Sequence, residues 1–511
     1  MMAEDTVKQG IVGTLAKEGL MVSPYCLDLI IERKVDVAEL AKDAKKAGVW
    51  MITDEFLRGF IKLDTELSKA AKELAGVEQA EKAVEVVSTR KILAKEVESR
   101  LVIDDATDVT DKSTCDGTIE NFVEYFNQRY RTIRDILRER PECRTAMTVE
   151  AAKKHPGEKL RVICMVTEKR ESKKGYRFLE VEDPTGSLTG LITKEKEEVV
   201  RLYTRLLADE VICLEGTFRD NLFLVDSITQ PDIPYNSQPR KADEEVYAAF
   251  LSDVHVGSYL FMEREFYRFI EWLNGKGPET EIAGKVKYVL IAGDLVDGIG
   301  VYPSQEKELT IPDIYKQYDF FAKLLEDIPS YIEIVLGMGN HDAVRGAEPQ
   351  PRLDREIGGA LYDLPNVHVV GNPVYLSMHG VRTLMYHGTS LDTIIGNLSD
   401  CSYGAPEKAM MQYLIRRNLV PSYGGDKKSG DMIAPESKDY LAIKEVPDIF
   451  HCGHVHTNGY ATYKGVKIIN SGTWQAKTKY QEQLGHQPTP CRVPVINLQN
   501  HEVSIQYFKN D

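Results

Sequence analysis

The chain has no apolar run long enough to cross a membrane, although it contains 511 residues. A membrane-spanning helix needs about 20 consecutive, mostly apolar residues, and no stretch of this sequence approaches that length. The first ten residues, MMAEDTVKQG, also lack the basic segment and following apolar segment of a secretion signal. We therefore expect no membrane association and a cytoplasmic location.

Closely spaced cysteines are also missing. The eight cysteines are scattered along the chain, and none forms a Cys-x-x-Cys pair, so the sequence gives no support for a zinc ribbon. Several lie inside apolar, strand-like runs such as VICMV and VICLEG. That setting is typical of buried, reduced thiols.

Positive charge is in short supply. The net charge is −15 and the isoelectric point is about 5.4, which argues against a broad surface that neutralises phosphates. A nucleic-acid substrate would have to be contacted locally, or a partner would have to supply the positive charge. The remaining composition, 42% hydrophobic and 28% charged, is that of a globular protein, and the length predicts two to four domains.

Changes in sequence pattern divide the chain into five parts. Residues 1–60 have the spacing of short amphipathic helices, and 61–118 read as a charged helix followed by an acidic linker. Residues 119–145 predict one amphipathic helix, whose apolar face we expect to pack against the rest of the chain. Residues 146–240 have strand periodicity, and in 243–511 apolar strands alternate with helices.

The part from 146 to 240 predicts a small β-barrel. Three strands are followed by a helix and two further strands, an order that resembles the oligonucleotide-binding fold. Such barrels bind nucleic acids or dock other proteins, and the sequence leaves both roles open.

The chemistry is concentrated in five short pieces between residues 252 and 456. They read SDVHVG, GDLVDG, GNHD, YHGTS and GHVH. Four of them follow an apolar, strand-like run, and ligands gather at the carboxyl ends of strands in sheets of this kind. The pieces supply the polar candidates Asp253, His255, Asp294, Asp297, Asn340, His341, His387, His454 and His456.

Histidines are scarce, at 11 in the whole chain, yet three fall within HCGHVH at 451–456. In extended chain, residues two apart point to the same side. We therefore expect Asp253 and His255 to point together, and His454 and His456 likewise. His451 has the opposite parity, and we expect it either to support the ligands from behind or to be structural. His368 and His379 lack a motif and are expected to be structural.

The ordered set DxH, GDxxD, GNH[DE], H and GHxH resembles the calcineurin-like metallophosphoesterase superfamily, over roughly residues 250–475. The resemblance implies a multidomain chain that ends in an α/β metallophosphoesterase, a β-sandwich flanked by helices. It further implies two divalent metal ions that share one carboxylate. The first would be held by Asp253, His255, Asp294 and His456, and the second by Asp294, Asn340, His387 and His454.

Ligands that mix imidazole, carboxylate and amide groups favour Mn²⁺, with Fe, Zn²⁺ and Mg²⁺ as alternatives. Two cations can clamp the attacking and leaving oxygens of an in-line displacement. His341 is not needed as a ligand and could protonate or stabilise the leaving alkoxide. The side chain of Asp297 would then hold the other ring nitrogen, with Asp342 as a competing partner.

The order of the whole chain, with the phrases GNHDAVRGAEPQP, APESKDYL and VPDIFHCGHVH, resembles the small subunits of archaeal D-family DNA polymerases. That resemblance implies a 3′→5′ exonuclease that proofreads DNA 3′ ends, preferably single-stranded. Because this chain has no polymerase motif, synthesis would belong to a large subunit. We expect the barrel and the phosphoesterase domain to form the docking surface for that subunit.

Few basic residues lie near the motifs. We expect Arg345, Arg352, Arg416 and Arg417 to contact the substrate phosphates, and the Gly-rich segment 421–431 to form a flap. Three other functions stay open: a non-catalytic scaffold, a stand-alone phosphodiesterase and, with least support, a protein phosphatase.

Overall fold

A computed structural model of the protein describes residues 2–54, 56–61, 92–277, 279–423 and 431–509. No helix in these ranges is both long and apolar enough to cross a membrane. The N-terminal part is helical, with a small apolar core of its own that includes Leu15, Leu27 and Leu40. Its elements are α1 (Met2–Lys17), β1 (Met21–Val22), α2 (Pro24–Glu32), α3 (Val37–Lys46) and β2 (Met51–Ile52), with β1 and β2 paired in parallel.

The segment predicted as an acidic linker is part of the C-terminal domain. It contains α4 (Leu93–Glu96) and β3 (Leu101–Ile103), and β3 pairs antiparallel with a strand of that domain near residue 376. Asp108 then accepts a hydrogen bond from the backbone N–H of Gly371 at 2.7 Å. The linker prediction is therefore wrong for residues 101–108, because backbone pairing and a buried carboxylate fix them. Residues 62–91 of the same prediction lie outside the described residues.

The predicted amphipathic helix is α5 (Ile119–Glu139), followed by the 3-10 turn Pro141–Cys143. Thr118 caps its first turn together with Asn121, which satisfies two of the backbone N–H groups that a helix start leaves free. Its apolar face is buried by the chain itself, as expected. Tyr130 packs on the barrel and Tyr125 on the C-terminal domain.

Residues 159–229 form a closed five-stranded barrel, which confirms the predicted barrel. Three strands, a helix and two strands follow one another in sequence, and the first strand closes on the fourth in the order β4-β5-β6-β8-β7. Short α6 (Val149–Ala152) precedes them. The elements are β4 (Lys159–Glu171), β5 (Arg177–Asp183), β6 (Gly186–Ile192), α7 (Glu197–Arg205), β7 (Val211–Arg219) and β8 (Leu222–Thr229).

The C-terminal domain is built on two six-stranded sheets. The first has the order β12-β11-β10-β9-β18-β19, with β9 to β12 parallel. Its strands are β9 (Tyr247–Leu251), β10 (Val286–Ala292), β11 (Glu333–Gly337), β12 (Val367–Val369), β18 (Arg492–Asn497) and β19 (Val503–Tyr507). The central strand β10 is buried at every position, as expected for a strand covered on both faces.

The second sheet has the order β16-β17-β15-β14-β13-β3. Its remaining strands are β13 (Val374–Met378), β14 (Val381–Met385), β15 (Ile449–Cys452), β16 (Asn458–Tyr463) and β17 (Val466–Ser471). Apolar side chains from both sheets, among them Phe250, Leu290 and Ile449, share one core between them. The domain is therefore a β-sandwich, as predicted.

Helices cover the outer faces of the sandwich. On the first sheet Phe266, Phe321 and Leu361 share a core with Ile291, and on the second Tyr413 shares one with Phe450. The helices of the C-terminal domain are α8 (Glu263–Leu273), α9 (Thr280–Ala283), α10 (Ile314–Glu326), α11 (Arg355–Tyr362), α12 (Leu391–Asn397), α13 (Pro406–Arg416) and α14 (Lys479–Gln483), of which α14 lines a cavity instead of covering a sheet. The carboxyl ends of β9, β10, β11, β14 and β15 are left to face one another.

Candidate metal centre

The candidate ligands lie just beyond the carboxyl ends of strands from both sheets. Asp253 and His255 follow β9, Asp294 follows β10, and Asn340 follows β11. The second sheet contributes His387 after β14, and His454 and His456 after β15. The sandwich therefore brings together residues that are up to 203 positions apart in the sequence.

The backbone at these residues is not extended. Five of the seven candidate ligands have a positive φ angle, which side-chain-bearing residues seldom adopt and which costs of order 1–3 kcal/mol each. The angles are 51° at Asp253, 55° at His255, 51° at Asp294, 68° at His454 and 56° at His456. The expected extended geometry is wrong, because left-handed residues turn the chain sharply into the site. Strain of this kind gathers at functional sites.

One cluster joins Asp253, His255 and His456. The Nε2 atoms of His255 and His456 face each other at 3.0 Å, and His456 Nε2 lies 3.4 Å from Asp253 Oδ1. His255 Nδ1 donates to Asp297 Oδ1 at 3.1 Å, so its Nε2 presents a lone pair to the cluster when the ring is neutral.

A second cluster surrounds the side-chain oxygen of Asn340. His387 Nδ1 donates to the backbone carbonyl of Ala292 at 2.7 Å, and His454 Nε2 donates to Asp392 Oδ2 at 3.3 Å. The other ring nitrogen of each histidine then carries a lone pair. These nitrogens, His387 Nε2 and His454 Nδ1, lie 3.0 and 3.1 Å from Asn340 Oδ1.

Asp294 lies between the two clusters. Its Oδ2 is 3.7 Å from His255 Nε2 and 3.4 Å from His387 Nε2. Burial by itself would raise the pKa of Asp294, but the surrounding imidazole rings hold that pKa well below its usual value. The carboxylate is charged and placed to serve both clusters.

This donor set fits divalent cations. When both rings are neutral and the Asn340 oxygen is turned inward, three hydrogen-bond acceptors converge at about 3 Å without a hydrogen between them, which is unfavourable unless a cation or a proton lies there. Burial acts to lower the pKa of His387, yet the carboxylates of Asp294 and Asp253 raise it to about 10. The site therefore favours positive charge, as a cluster of carboxylate, imidazole and amide ligands for a transition metal would.

His341 lies beside the clusters and lines the cavity above them. Its Nδ1 donates to the backbone carbonyl of Asp297 at 2.7 Å. The predicted contact with the Asp297 side chain is wrong, because that carboxylate accepts from His255 instead. The competing partner, Asp342, accepts hydrogen bonds from the backbone N–H of Gly339 and the hydroxyl of Tyr318.

Arg416 and Arg417 are not placed to contact a substrate, which corrects the sequence expectation. Both are buried, at 4% and 3% exposure. The guanidinium of Arg416 pairs with Glu210 of the barrel. That of Arg417 donates to the backbone carbonyls of Ile443 and Lys444. Arg416 therefore stabilises the contact between the barrel and the C-terminal domain, whereas Arg417 joins two segments within the C-terminal domain.

Arg345 and Arg352 also have protein partners. Arg345 pairs with buried Glu436 at 2.9 Å, and Arg352 pairs with exposed Asp111 at 3.1 Å. Neither arginine lines the cavity above the clusters in the described ranges. The expected phosphate contacts of this pair are therefore not supported either. The predicted flap falls mainly on residues 424–430, which lie outside the described residues.

Two glycines allow the ligands to approach closely. A Cβ atom at Gly339 would lie 2.2 Å from Asp294 Oδ1, and one at Gly453 would lie 2.4 Å from Asp253 Oδ2. Both glycines come directly before a ligand residue. Only glycine leaves room for the carboxylate there.

The structure also identifies residues that the sequence did not single out. Asp392, in the first turn of α12, fixes the tautomer of His454, and Gln475 donates to Asp297 Oδ1 at 3.0 Å. Tyr302, Tyr403 and Tyr480 line the cavity. For Asp392 a signal was available, because it follows the His387 motif within a helix start.

The histidines set aside as structural lie outside both clusters. His451 is buried, Nε2 contacts Ser471 Oγ at 2.9 Å, and burial lowers its pKa to about 3. His368 pairs with Glu333 at 2.8 Å, and His379 lies 3.3 Å from Glu244.

Comparison with known proteins agrees with this geometry. The calcineurin-like phosphoesterase family matches residues 247–458. The DNA polymerase II small subunit of Methanocaldococcus jannaschii is 42% identical over 82% of this chain and 71% of its own length. The Archaeoglobus fulgidus subunit of the same name is 42% identical over 78% and 80%, respectively. The one from Methanothermobacter thermautotrophicus is 35% identical over 95% of this chain and 97% of its own length.

Proposed function

The chain belongs to the family of DNA polymerase II small subunits, and from that premise we propose that it is a metal-dependent 3′→5′ exonuclease, which removes nucleotides from DNA 3′ ends. One observation carries the proposal. Two clusters of mostly buried ligands share Asp294, and hydrogen bonds leave inward-facing acceptor nitrogens on His255 in the first cluster and on His387 and His454 in the second. A purely structural role gives no reason for such an arrangement.

The seven ligands would hold two divalent cations, of which we propose Mn²⁺ as the natural pair. When bound, the cations would stabilise the negative charge that develops on the attacking and leaving oxygens of a phosphodiester. The first cluster contributes a carboxylate and two imidazoles, and the second contributes an amide oxygen and two imidazoles.

His341 would act as the general acid. Its Nδ1–H is engaged by the Asp297 carbonyl, so the ring is held in one orientation with Nε2 available to the cavity. In the protonated ring, Nε2–H would donate to the leaving alkoxide. Asp297 would act through its carbonyl on His341 and through its carboxylate on His255, which makes it a positioning residue for both.

The polymerising partner would be a large subunit. The barrel and the phosphoesterase domain are joined by the buried pair of Arg416 and Glu210, so they can present one continuous docking surface. Co-elution of the two purified chains in size-exclusion chromatography is the expected result. Separate elution at micromolar concentration would contradict it.

The test of the nuclease is an assay on 5′-labelled single-stranded DNA with added Mn²⁺, with and without the large subunit. Wild type should give products that shorten from the 3′ end. His341→Ala should bind Mn²⁺ as wild type does and lose cleavage, whereas Asp294→Asn should lose both. If wild type does not cleave DNA either with or without the large subunit, the chain is a scaffold whose metal centre is structural. Cleavage of a small diester but not of DNA would instead favour a stand-alone phosphodiesterase.

A further inference from the structure

Two cavities adjoin beside the metal centre. The first, of about 600 Å³, lies over the two clusters, and the second, of about 430 Å³, lies next to it. Both are lined by Glu308 and by the same two segments, residues 299–308 and 475–486. Together they form a cleft that leads from the candidate ligands to the protein surface.

The half of the cleft over the metal centre is lined by aromatic rings. Tyr302 stands on one wall and Tyr480 on the other, and Tyr480 is 69% exposed. Tyr403 forms part of the floor, with its ring centroid 4.0 Å from that of His486. Large apolar side chains left open to solvent around a cavity mark a ligand site. Flat rings at this position suit unpaired nucleobases, because stacking accepts any base.

The outer half of the cleft is lined by lysines. Lys307 comes from one wall, and Lys477 and Lys479 come from the other. Lys477 Nζ lies 3.4 Å from the neutral oxygen of Gln487, so its charge is not cancelled there. Lys8 of the N-terminal part also lines this half, paired with Asp28 at 2.6 Å.

The outer half of the cleft has more lysines than carboxylates, in contrast to the chain that contains it. Four lysines and two glutamates, Glu308 and Glu482, line the outer half, whereas the chain as a whole has a net charge of −15. Positive charge is thus concentrated next to the phosphodiester centre. The phosphates of a DNA strand that extends from the centre would be attracted to the outer half of the cleft.

We propose that this cleft binds the single-stranded 3′ segment of DNA. The terminal bases stack between Tyr302 and Tyr480, and Lys307 and Lys477 contact the phosphates that follow. The inference rests on the proposed exonuclease and assigns its substrate path. Lys307 and Lys477 take the phosphate-binding role expected of the four arginines, which have partners elsewhere in the protein. Because stacking requires exposed bases, the cleft selects frayed or mispaired ends over intact duplex.

The experiment measures DNA binding separately from cleavage. Fluorescence anisotropy would follow a 5′-labelled oligothymidine bound by the full-length chain in EDTA, over a series of salt concentrations. Lys307→Ala with Lys477→Ala should reduce the slope of log K against log salt by about 0.7 for each lost phosphate contact. The matched control is Lys241→Ala with Lys276→Ala, which removes the same charge near the amino end of β9 and beyond the far end of α8.

The role of the tyrosines is tested by a separate binding measurement. Tyr302→Ala with Tyr480→Ala should weaken binding of the oligothymidine about tenfold or more and leave binding of a blunt duplex unchanged. Calorimetric titration of Mn²⁺ should give wild-type affinities in every cleft variant, because the metal ligands are intact. A loss of Mn²⁺ binding would mean that the substitutions disturb the centre itself, and the assignment of these side chains to the strand would be overturned.

The outcomes separate the cleft from the exonuclease. If wild type cleaves DNA and the cleft variants bind and cleave as wild type does, the cleft assignment is wrong and the exonuclease stands. If wild type binds DNA without cleaving it, and the variants lose binding, the cleft is supported and the proposed activity fails.

Discussion

Asp392 offers the sharpest test of the proposed metal centre, because it touches the proposed ligand His454 without being a ligand itself. Its Oδ2 accepts a hydrogen bond from His454 Nε2, and its Oδ1 accepts one from Tyr403 at 2.9 Å. Asp392→Asn keeps the size and the position of the side chain. An amide nitrogen facing Nε2 would favour the other tautomer, in which the proton sits on Nδ1 and covers the lone pair that points at Asn340.

The expected loss follows from the geometry. Replacing a group that orients a metal ligand typically weakens metal affinity 10- to 100-fold. The contact here is 3.3 Å long and the Asp392 side chain is 47% exposed, so water can partly replace it. We therefore expect the lower limit, about tenfold, which corresponds to about 1.4 kcal/mol.

Calorimetric titration of Mn²⁺ into metal-stripped protein would measure this effect. One of the two binding steps should weaken about tenfold, and the other should be unchanged. Asp400→Asn is the matched control, since Asp400 pairs with Arg205 on the surface nearby. If both Mn²⁺ affinities of Asp392→Asn stay within twofold of wild type, Asp392 does not set the tautomer of His454 and our assignment of the second cluster is wrong.

Three further predictions concern buried contacts. Arg416→Ala leaves Glu210 buried without its partner and should cost about 3–5 kcal/mol in urea unfolding. Gly453→Ala should weaken Mn²⁺ binding, because the added Cβ would meet the Asp253 carboxylate at 2.4 Å. Burial raises the pKa of Glu263 to about 7 from an ordinary value of 4.5. The contribution of Glu263 to the free energy of unfolding should therefore be full below pH 4.5. About 3 kcal/mol of it should be lost as the pH rises to about 7. Glu263→Gln should not show this loss.

Control variants show which results would contradict these three predictions. Arg352→Ala removes an exposed ion pair and should cost less than about 1 kcal/mol, so an equal cost for Arg416→Ala would contradict the first. Gly404 has no atom within 4 Å of an added Cβ, and Gly404→Ala should bind Mn²⁺ as wild type does. If the stabilities of wild type and Glu263→Gln, measured by thermal unfolding, change with pH in the same way, the prediction for Glu263 is wrong.

The sequence determined the architecture and the kind of chemistry. Strand periodicity with a helix between the third and fourth strands predicted the barrel, and apolar strands ending in Asp, Asn or His predicted where ligands gather. These signals are local, because each depends on residues within one strand or one turn. The types of the ligands, though not their roles, could therefore be read from short motifs.

The tertiary structure decided which side chains meet. Arg416 looked available for a phosphate, yet its partner Glu210 lies 206 positions away. Asp392 looked unremarkable, yet it reaches His454 across 62 positions. The left-handed backbone at the ligands was also not foreseen, since it is imposed by packing around the site and opposes local preference. A sequence pattern reports what each residue prefers, whereas the contacts between distant segments decide how each residue is used.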